Sequence, residues 1–324
     1  MDQSKVCLTT FIYGVKYQEY IPFLVYSCKK AYPEYDIVLF LYDKLESIIK
    51  KQLSILDTQN VYIREESFKD CPHMTPLKAK SLRWVLWDDT FRNYDYLYIV
   101  DIDMLYIREP KLIHEQHCEH MNTTGLPYDN LVRCFKRSPF NLISIGSRLK
   151  NAGLQNIIGY LFGTRNDFRL SGLHFIDVEN YYKIYNDEQR KYYKRMIYKG
   201  KFIRDVYSCN NESFLYLIMK EIGLTPGRLA IQTNSINMLD FENCARPEFR
   251  PHHGIHMGIF RIELQEKHEI LESKPYDYYV KQFTKNIMND KVFITLLNMS
   301  SERMKIQFDR FFRYYKLNTS ILNK

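Results

Sequence analysis

Glycine and proline are scarce in this sequence, at 12 and 11 of 324 residues. Because disordered chains are usually rich in such residues and poor in aromatic ones, these counts argue against disorder. Long apolar runs are absent too: the densest, SFLYLIM at 213–219, is far shorter than the roughly 20 residues that span a bilayer. The first residues lead straight into an apparent strand, so we expect no signal peptide. With 45% hydrophobic residues, the chain can bury a sizeable core.

Cysteines are few and scattered. The seven are odd in number and form no Cys-x-x-Cys pair, which is typical of reduced thiols in a cytoplasm. One segment, HEQHCEH, does gather potential zinc ligands: His114, His117, Cys118 and His120. No second Cys/His half accompanies it. We therefore interpret this segment as the solvated face of a helix, with a structural metal as the less favoured alternative.

Charge of one sign does not dominate the chain. The net charge of +8 suits an anionic partner such as a nucleotide, a membrane surface or a nucleic acid, without choosing among them. Basic and aromatic residues alternate at 190–204 and again near the end of the chain. The second stretch predicts a helix with one aromatic stripe, made of Phe308, Phe311, Phe312 and Tyr315. This basic helix either lies on an anionic membrane surface or packs on the rest of the protein.

Strand and helix patterns alternate over the first hundred residues. The predicted strands lie at 5–13, 35–42, 60–65 and 96–100, with a predicted helix between each and the next. Such alternation predicts an α/β fold, with a mainly parallel sheet flanked by helices. The pattern loosens from about 111 to 165, and the region beyond 262 is predicted to be mostly helical and basic. Ligands of such sheets bind at the carboxyl ends of the strands.

Two aspartates, Asp101 and Asp103, follow the most hydrophobic strand, in DYLYIVDIDML. Residues separated by one point to the same side of an extended chain, so both carboxylates could face one cation. Mg²⁺ and Mn²⁺ take oxygen ligands and commonly bridge a carboxylate to substrate phosphates. Unpaired buried carboxylates are costly. We therefore predict a divalent metal site here, and the alternative is a simple cap on the turn after the strand.

A basic helix upstream, in KAKSLRW, carries further candidates. Lys80 and Arg83 project to one side of the predicted helix, where they could hold a phosphate or orient a carboxylate. The alternative is a solvated basic face, which we favour for Lys78.

Histidines and glycines cluster downstream in RPHHGIHMGIF, which holds His252, His253 and His256. A histidine in such a loop can reach a metal while backbone amides approach phosphates. His256, Gly258 and Arg261 are typical of a ligand, a close backbone contact and a phosphate-facing cation. A polar surface loop is the alternative.

Taken in order, these segments resemble glycosyltransferases of the GT-A fold, and most closely family 8, in its bacterial capsule and lipopolysaccharide branch. LTTFIY, SLRWVL, DYLYIVDIDML, RLSGLHFIDVENYY, CNNESFLYLI and GIHMG stand in the family's order, over roughly residues 5–261. The resemblance implies a GT-A catalytic domain over 1–261. Its nucleotide-sugar-binding part would cover about 1–110 and its acceptor-side part about 111–261, with a helical C-terminal extension at 262–324.

The resemblance also implies a set of site residues. Asp101, Asp103 and His256 would hold Mn²⁺, or Mg²⁺, on the diphosphate of a nucleotide sugar, which we expect to be a UDP-sugar. Thr9, Thr10 and Tyr13 would line the base pocket, and Arg83 would contact the donor. Ser171 and Gly172 would lie near the sugar, and Gly258 and Arg261 would belong to the donor site as well.

This chain departs from the family pattern in two places. Gly258 is two residues after His256 and Arg261 is five after it, where the family has Gly and Lys at three and six. Asn-Glu at 211–212 stands where the family has Asp-Gln. The resemblance therefore implies Glu212, or alternatively Asp205, as the source of the catalytic carboxylate, beside Asp101 and Asp103.

We accordingly predict a metal-dependent hexosyltransferase that uses a UDP-sugar and a glycan or lipid-linked acceptor in cell-surface polysaccharide synthesis. We expect it in the cytoplasm, with peripheral membrane contact through the basic C-terminal helices. A nucleotidyltransferase of sugar-nucleotide synthesis is an alternative, but such enzymes open with a glycine-rich phosphate loop, and here only Gly14 stands near that position. A nucleic-acid-binding protein is a further alternative that leaves Asp101 and Asp103 unexplained, so we expect no nucleic-acid partner.

Overall fold

The computed structural model describes residues 4–130, 132–136, 166–200, 211–224, 231–233, 253–261 and 274–319. In these residues the strands are β1 (Val6–Ile12), β2 (Asp36–Leu41), β3 (Val61–Arg64), β4 (Tyr96–Ile99), β5 (Met104–Tyr106), β6 (Tyr128–Asp129), β7 (Val132–Lys136), β8 (Asn166–Leu170), β9 (His174–Asp177), β10 (Ile231–Thr233) and β11 (Gly254–His256). The α-helices are α1 (Val15–Gln18), α2 (Ile21–Ala31), α3 (Ser47–Leu53), α4 (Pro76–Leu82), α5 (Ile113–Thr124), α6 (Val178–Ile184), α7 (Asp187–Tyr198), α8 (Asn211–Glu221), α9 (Lys274–Asn286), α10 (Lys291–Asn298) and α11 (Glu302–Tyr314). Short 3₁₀ turns lie at Arg83–Val85, Asp89–Asn93 and Met257–Phe260.

The chain divides by contacts into two compact units. The first combines Met1–Ser67, Val100–Gln116 and Pro247–Lys324, and the second combines Phe68–Ile99 and His117–Arg246. The first unit therefore takes in the residues on both sides of the predicted boundary at 261. The functional division into donor and acceptor parts stays a prediction.

The first unit is built on three parallel strands in the order β3-β2-β1, with Thr9 opposite Val38 and Ile37 opposite Val61. Every residue of β1 is buried, as is every residue of β2 after Asp36. Such continuous apolar runs are what strands of a doubly covered parallel sheet require. The mixed α/β class that the strand–helix alternation predicts is confirmed.

The C-terminal helices form part of the core of the first unit. Phe308, Phe311 and Phe312 are fully buried, and the Phe308 ring lies 4.9 Å from that of Phe23 on α2 and 5.5 Å from that of Phe293 on α10. Of the two alternatives for the aromatic stripe, packing on the protein is therefore the one observed, and these rings are not available to a membrane surface. None of the helices in the described part of the chain is long and apolar enough to cross a bilayer.

The second unit is mainly antiparallel. β9 pairs with β4 on one side and β6 on the other, with His174 opposite Ile99 and Ile176 opposite Tyr128. A second small sheet has the order β10-β7-β8. In α7, which carries most of the basic stretch at 190–204, the Arg190 guanidinium is buried over the Trp87 ring at 4.0 Å. This arginine therefore packs within the unit and is not solvated.

The histidines of HEQHCEH are buried on α5, so the predicted solvated helix face is wrong. The Asp129 carboxylate is hydrogen-bonded to Nδ1 of both His117 and His120, and the distance to His120 is 2.5 Å. All three side chains are under 5% exposed. His114, in the first unit, bonds the Tyr35 hydroxyl at 2.8 Å. Each ring finds a partner inside the protein, which removes the main cost of burying a polar group. The helix itself, which the interpretation of HEQHCEH expected, is observed at Ile113–Thr124, within the longer interval in which the pattern loosens.

Candidate functional site

Asp101 and Asp103 lie in a turn between β4 and β5. The Val100 N–H donates to the Thr9 carbonyl at 2.9 Å, which fixes the chain at the end of β1, and a turn at Ile102–Asp103 follows. The extended geometry that the spacing predicts for the two aspartates is therefore wrong. Their environments differ: the side chain of Asp103 is 4% exposed, whereas Asp101 is half-buried.

β11 brings His256 to this turn. It pairs antiparallel with β5, with His256 opposite Met104, and the Met257 N–H donates to the Asp103 carbonyl at 2.8 Å. The pairing also requires glycine at position 254, because a Cβ there would overlap the Leu105 carbonyl. Residues far apart in sequence thus meet through one short strand pair.

A buried carboxylate anchors the start of β11. Glu109 is 2% exposed and accepts hydrogen bonds from the Tyr279 hydroxyl at 2.8 Å and the Gln116 amide at 2.5 Å. Nδ1 of His253 lies 3.1 Å from both carboxylate oxygens, and the backbone of His253 has a φ of 55°, in the left-handed region. Since non-glycine residues rarely adopt that conformation, the contacts of Glu109 hold the chain where β11 begins.

One acidic and two basic side chains converge at the end of β11. Oδ1 of Asp103 lies 3.2 Å from Nε2 of His256, and Oδ2 lies 2.5 Å from Nη2 of Arg261. Gly258 faces all three groups: a Cβ there would overlap Oδ2 of Asp103 and lie 2.7 Å from Arg261 Nη2 and 2.8 Å from His256 Nε2. Only a residue without a side chain leaves this cluster room.

Arg261 keeps hydrogen-bonding capacity for a ligand. Its Nη1–H donates to the Tyr17 hydroxyl at 3.4 Å, with the guanidinium 5.7 Å from the Tyr17 ring. Its Nε–H is buried, and in the part of the chain that the structure describes it meets no hydrogen-bond partner. A buried donor without an acceptor is costly, and a phosphate oxygen is the kind of acceptor that satisfies an arginine fork.

The charges of the cluster support one another. Burial raises the pKa of Asp103, but the attraction and hydrogen bond of His256, and then those of Arg261, outweigh it and hold that pKa below its usual range. Burial likewise lowers the pKa of His256, yet Asp103 and, by charge alone, Asp101 bring it above its ordinary value. The site is therefore polarised, with two carboxylates acting on one imidazole.

A divalent cation fits this set of donors in part. Adjacent ligands of an octahedral ion at about 2.1 Å lie about 3 Å apart, close to the 3.2 Å between Asp103 Oδ1 and His256 Nε2. Within the described ranges, however, no three His, Cys, Asp or Glu side chains surround one point as metal ligands. The structure thus brings together Asp103 and His256 of the predicted ligand set, and Asp101 is not assembled with them as a third ligand.

The residues predicted at the nucleotide base lie in and after β1. Thr9 and Thr10 are 1% and 2% exposed, and the Thr9 hydroxyl has no hydrogen-bond partner among the described residues. Tyr13 is half-buried, with its ring 5.3 Å from that of Tyr42, in an edge-on contact. Their contact with a base stays a prediction.

The basic candidates upstream lie in the second unit. The Arg83 guanidinium is buried 4.3 Å from the Trp84 ring. Lys78 is also buried, and its Nζ donates to the carbonyls of Pro72 at 2.6 Å and Tyr198 at 3.0 Å. The solvated face favoured for Lys78 is therefore wrong, because two backbone acceptors within the unit replace water.

The remaining predicted residues also belong to the second unit. Ser171 and Gly172 form a buried turn between β8 and β9, in which the Ser171 hydroxyl donates to the Leu173 carbonyl at 3.0 Å. Glu212 is half-buried in the first turn of α8. Their roles stay predictions, and Asp205 and His252 lie outside the described residues.

Three residues of the site region were missed in the sequence: Tyr17, Glu109 and Gln307. Gln307 interrupts the aromatic stripe of α11, so it breaks a hydrophobic pattern where a buried polar partner is needed. Glu109 lies in the polar run 108–111 after β5 and does not stand out there. Tyr17 gives no such signal.

Comparison with known proteins gives structural neighbours only. No protein-family model and no curated protein sequence matches the chain. Core-mannan synthase A from Aspergillus fumigatus, in a Mn/GDP form, is similar at a TM-score of 0.41 and 11% identity over 71% of this chain and 72% of that one. The galactosyltransferase LgtC, in complex with donor and acceptor sugar analogs, is similar at a TM-score of 0.34 and 14% identity, over 69% of this chain and 72% of that one. The glycosyltransferase GlyE from Streptococcus pneumoniae is similar at a TM-score of 0.36 and 11% identity, over 98% of this chain and 66% of that one. At these TM-scores we draw the function from the site itself.

Proposed function

We propose that this protein is a metal-dependent glycosyltransferase of the GT-A type. It would move a hexosyl group from a UDP-sugar to a glycan or lipid-linked acceptor in cell-surface polysaccharide synthesis. The observation that carries the proposal is the convergence of Asp103, His256 and Arg261 around Gly258, at the start of β5 and the end of β11. The order of the motifs along the sequence supports the same class.

Asp103 and His256 are the residues that would hold Mn²⁺ or Mg²⁺, with Asp101 adding negative charge beside them. When bound, such an ion neutralises the diphosphate and stabilises the charge that develops on it as a leaving group. The buried Nε–H of Arg261 is a donor for a phosphate oxygen, and Gly258 lets that oxygen approach the backbone. The site therefore offers both charge and directed hydrogen bonds to a diphosphate.

We propose a cytoplasmic location from the cysteine usage. Among the described residues, Cys7, Cys28, Cys71 and Cys118 lie outside disulfide bonds. Membrane contact through the aromatic stripe is not part of this proposal, because its phenylalanines are buried.

Calorimetric titration tests the proposal. UDP, GDP and a panel of their sugars are titrated with and without Mn²⁺ into wild type and into Asp103→Asn, which keeps the shape of the side chain and removes its charge. Asp309→Asn is the matched control, because Asp309 pairs with Arg313 at 2.8 Å on the surface of α11. We expect binding that needs the metal, weakens at least about tenfold in Asp103→Asn and is unchanged in the control. Absence of binding across the whole panel would refute the proposed activity.

A further inference from the structure

The last helix, α11, sends one buried polar side chain toward the candidate site. Gln307 is 1% exposed in a row of phenylalanines. Its Nε2–H donates to the Met257 carbonyl, and its Oε1 accepts from the Tyr20 hydroxyl at 2.8 Å. Both ends of the amide are therefore used, and one of them holds the residue directly after His256.

The same helix holds the other end of this turn. Nη1 of Arg310 donates to the Arg261 carbonyl, so the 3₁₀ turn Met257–Phe260 is bonded to α11 at both of its flanks. Between these bonds the Phe260 ring packs on the Phe311 ring, with centroids 5.1 Å apart. Polar and apolar contacts thus fix the turn from one side while Asp103 meets it from the other.

α11 also holds the segment that carries Tyr17, whose hydroxyl accepts a hydrogen bond from Arg261. Arg303 donates to the Glu19 carboxylate at 2.7 Å and to the Lys16 carbonyl at 2.5 Å, on either side of Tyr17. The helix therefore joins two chain segments that meet at the guanidinium of Arg261.

We propose that Gln307 is a positioning residue of the site, which holds the Met257–Phe260 turn so that His256, Gly258 and Arg261 face Asp103. An apolar residue would suit the buried stripe of α11 without needing hydrogen-bond partners, whereas an amide there must satisfy both a donor and an acceptor. The inference rests on the proposed function for the identity of the ligand, but not for the position of the turn.

Gln307→Glu is the main test variant. It keeps the size of the side chain and the acceptor for Tyr20, but it places a carboxylate oxygen against the Met257 carbonyl. Gln52→Glu is the matched control, because Gln52 is 2% exposed in the same unit and donates to the Leu296 carbonyl at 3.3 Å, away from the turn. Tyr20→Phe, which removes only the hydroxyl that orients the amide, replaces the main variant if that one does not fold.

Two measurements decide between positioning and a general loss of stability. Peptide-level amide exchange over 253–261 reports the turn directly, and we expect it to speed up about tenfold or more in Gln307→Glu and Tyr20→Phe, but not in Gln52→Glu. Calorimetry with Mn²⁺ and UDP should show about a tenfold weaker affinity in the same two variants.

Unchanged exchange over 253–261 in both site variants, or an equal change in Gln52→Glu, would overturn the inference. If wild type binds no nucleotide, the proposed function fails, while the exchange measurement still decides whether Gln307 positions the turn.

Discussion

Substitution of Gly258 by alanine is the sharpest test of the site geometry. The backbone of Gly258 is outside the left-handed region, so alanine meets no conformational strain there. At such a position the substitution would ordinarily stabilise a protein by about 0.4–1 kcal/mol, because it restricts the unfolded chain. The structure predicts the opposite sign.

The added methyl group would overlap Oδ2 of Asp103 and lie 2.7 Å from Nη2 of Arg261. Relief requires one of these side chains to move, which breaks a hydrogen bond between charged groups, a loss of about 1.5–3 kcal/mol. Because the Arg261 side chain is 32% exposed, solvent compensates part of this loss. We therefore expect destabilisation of about 1–2 kcal/mol, roughly a five- to thirtyfold fall in the ratio of folded to unfolded protein. The affinity for the metal–nucleotide complex should fall as well, because Asp103 or Arg261 is displaced from its place in the site.

Urea denaturation measures the stability change, and calorimetry with Mn²⁺ and UDP measures the affinity. A double-mutant cycle with Arg261→Ala adds an internal control. Without the guanidinium the Asp103 carboxylate can move away from the methyl group without breaking that ion pair, so the two effects should be non-additive. A neutral or stabilising Gly258→Ala with unchanged affinity would refute the close packing described around Asp103.

Further predictions concern the supports of the site and the core. Glu109→Ala should destabilise the protein by about 1–3 kcal/mol, because it leaves the buried His253 imidazole without its hydrogen-bond partner, and Glu109→Gln should cost less. Equal denaturation midpoints for wild type and Glu109→Ala would contradict this. Asp290 caps α10 through the Val292 N–H at 2.8 Å, so Asp290→Ala should cost about 1 kcal/mol and Asp290→Asn only part of it, as thermal unfolding of the pair would show. Burial raises the pKa of Asp290, but the hydrogen bond of Lys30 and those of the helix amides outweigh it, so the pKa is lowered. The stability that ionised Asp290 contributes is present above the unfolded pKa of about 3.9 and is lost as pH falls through the folded value. A Lys30→Met variant should therefore unfold at a less acidic pH than wild type. Burial raises the pKa of the Cys28 thiol to about 12, so a thiol reagent at neutral pH should leave it unmodified in the native protein, and rapid native labelling of Cys28 would show that α2 opens.

Local pattern predicts much of this fold because the strands of the first unit are buried on both sides. β1 is predicted at 5–13 and observed at Val6–Ile12, and β2 is predicted at 35–42 and observed at Asp36–Leu41. His256, Gly258 and Arg261 are recognisable for a similar reason, since histidine and glycine in one short loop need a chemical explanation. In each case the pattern that allows the prediction is contained in a few consecutive residues.

Features that depend on distant partners could not be predicted in this way. The burial of His117 and His120 depends on Asp129, which comes from another element. Lys78 is buried because carbonyls elsewhere in its unit accept from it. The turn between Asp101 and Asp103 depends on pairing with β11, whose position along the sequence gives no hint of that partner.

The segmented construction of the first unit has a consequence for how the protein is made. Met1–Ser67 and Val100–Gln116 leave the ribosome long before Pro247–Lys324, so Asp103 waits without His256, Arg261 or the helix that holds them. Closing so long an intervening segment costs chain entropy, and contacts of this range form slowly. On the proposed function, Asp103 and His256 can hold a cation together only after α11 has been made, so cation binding would report the last step of folding.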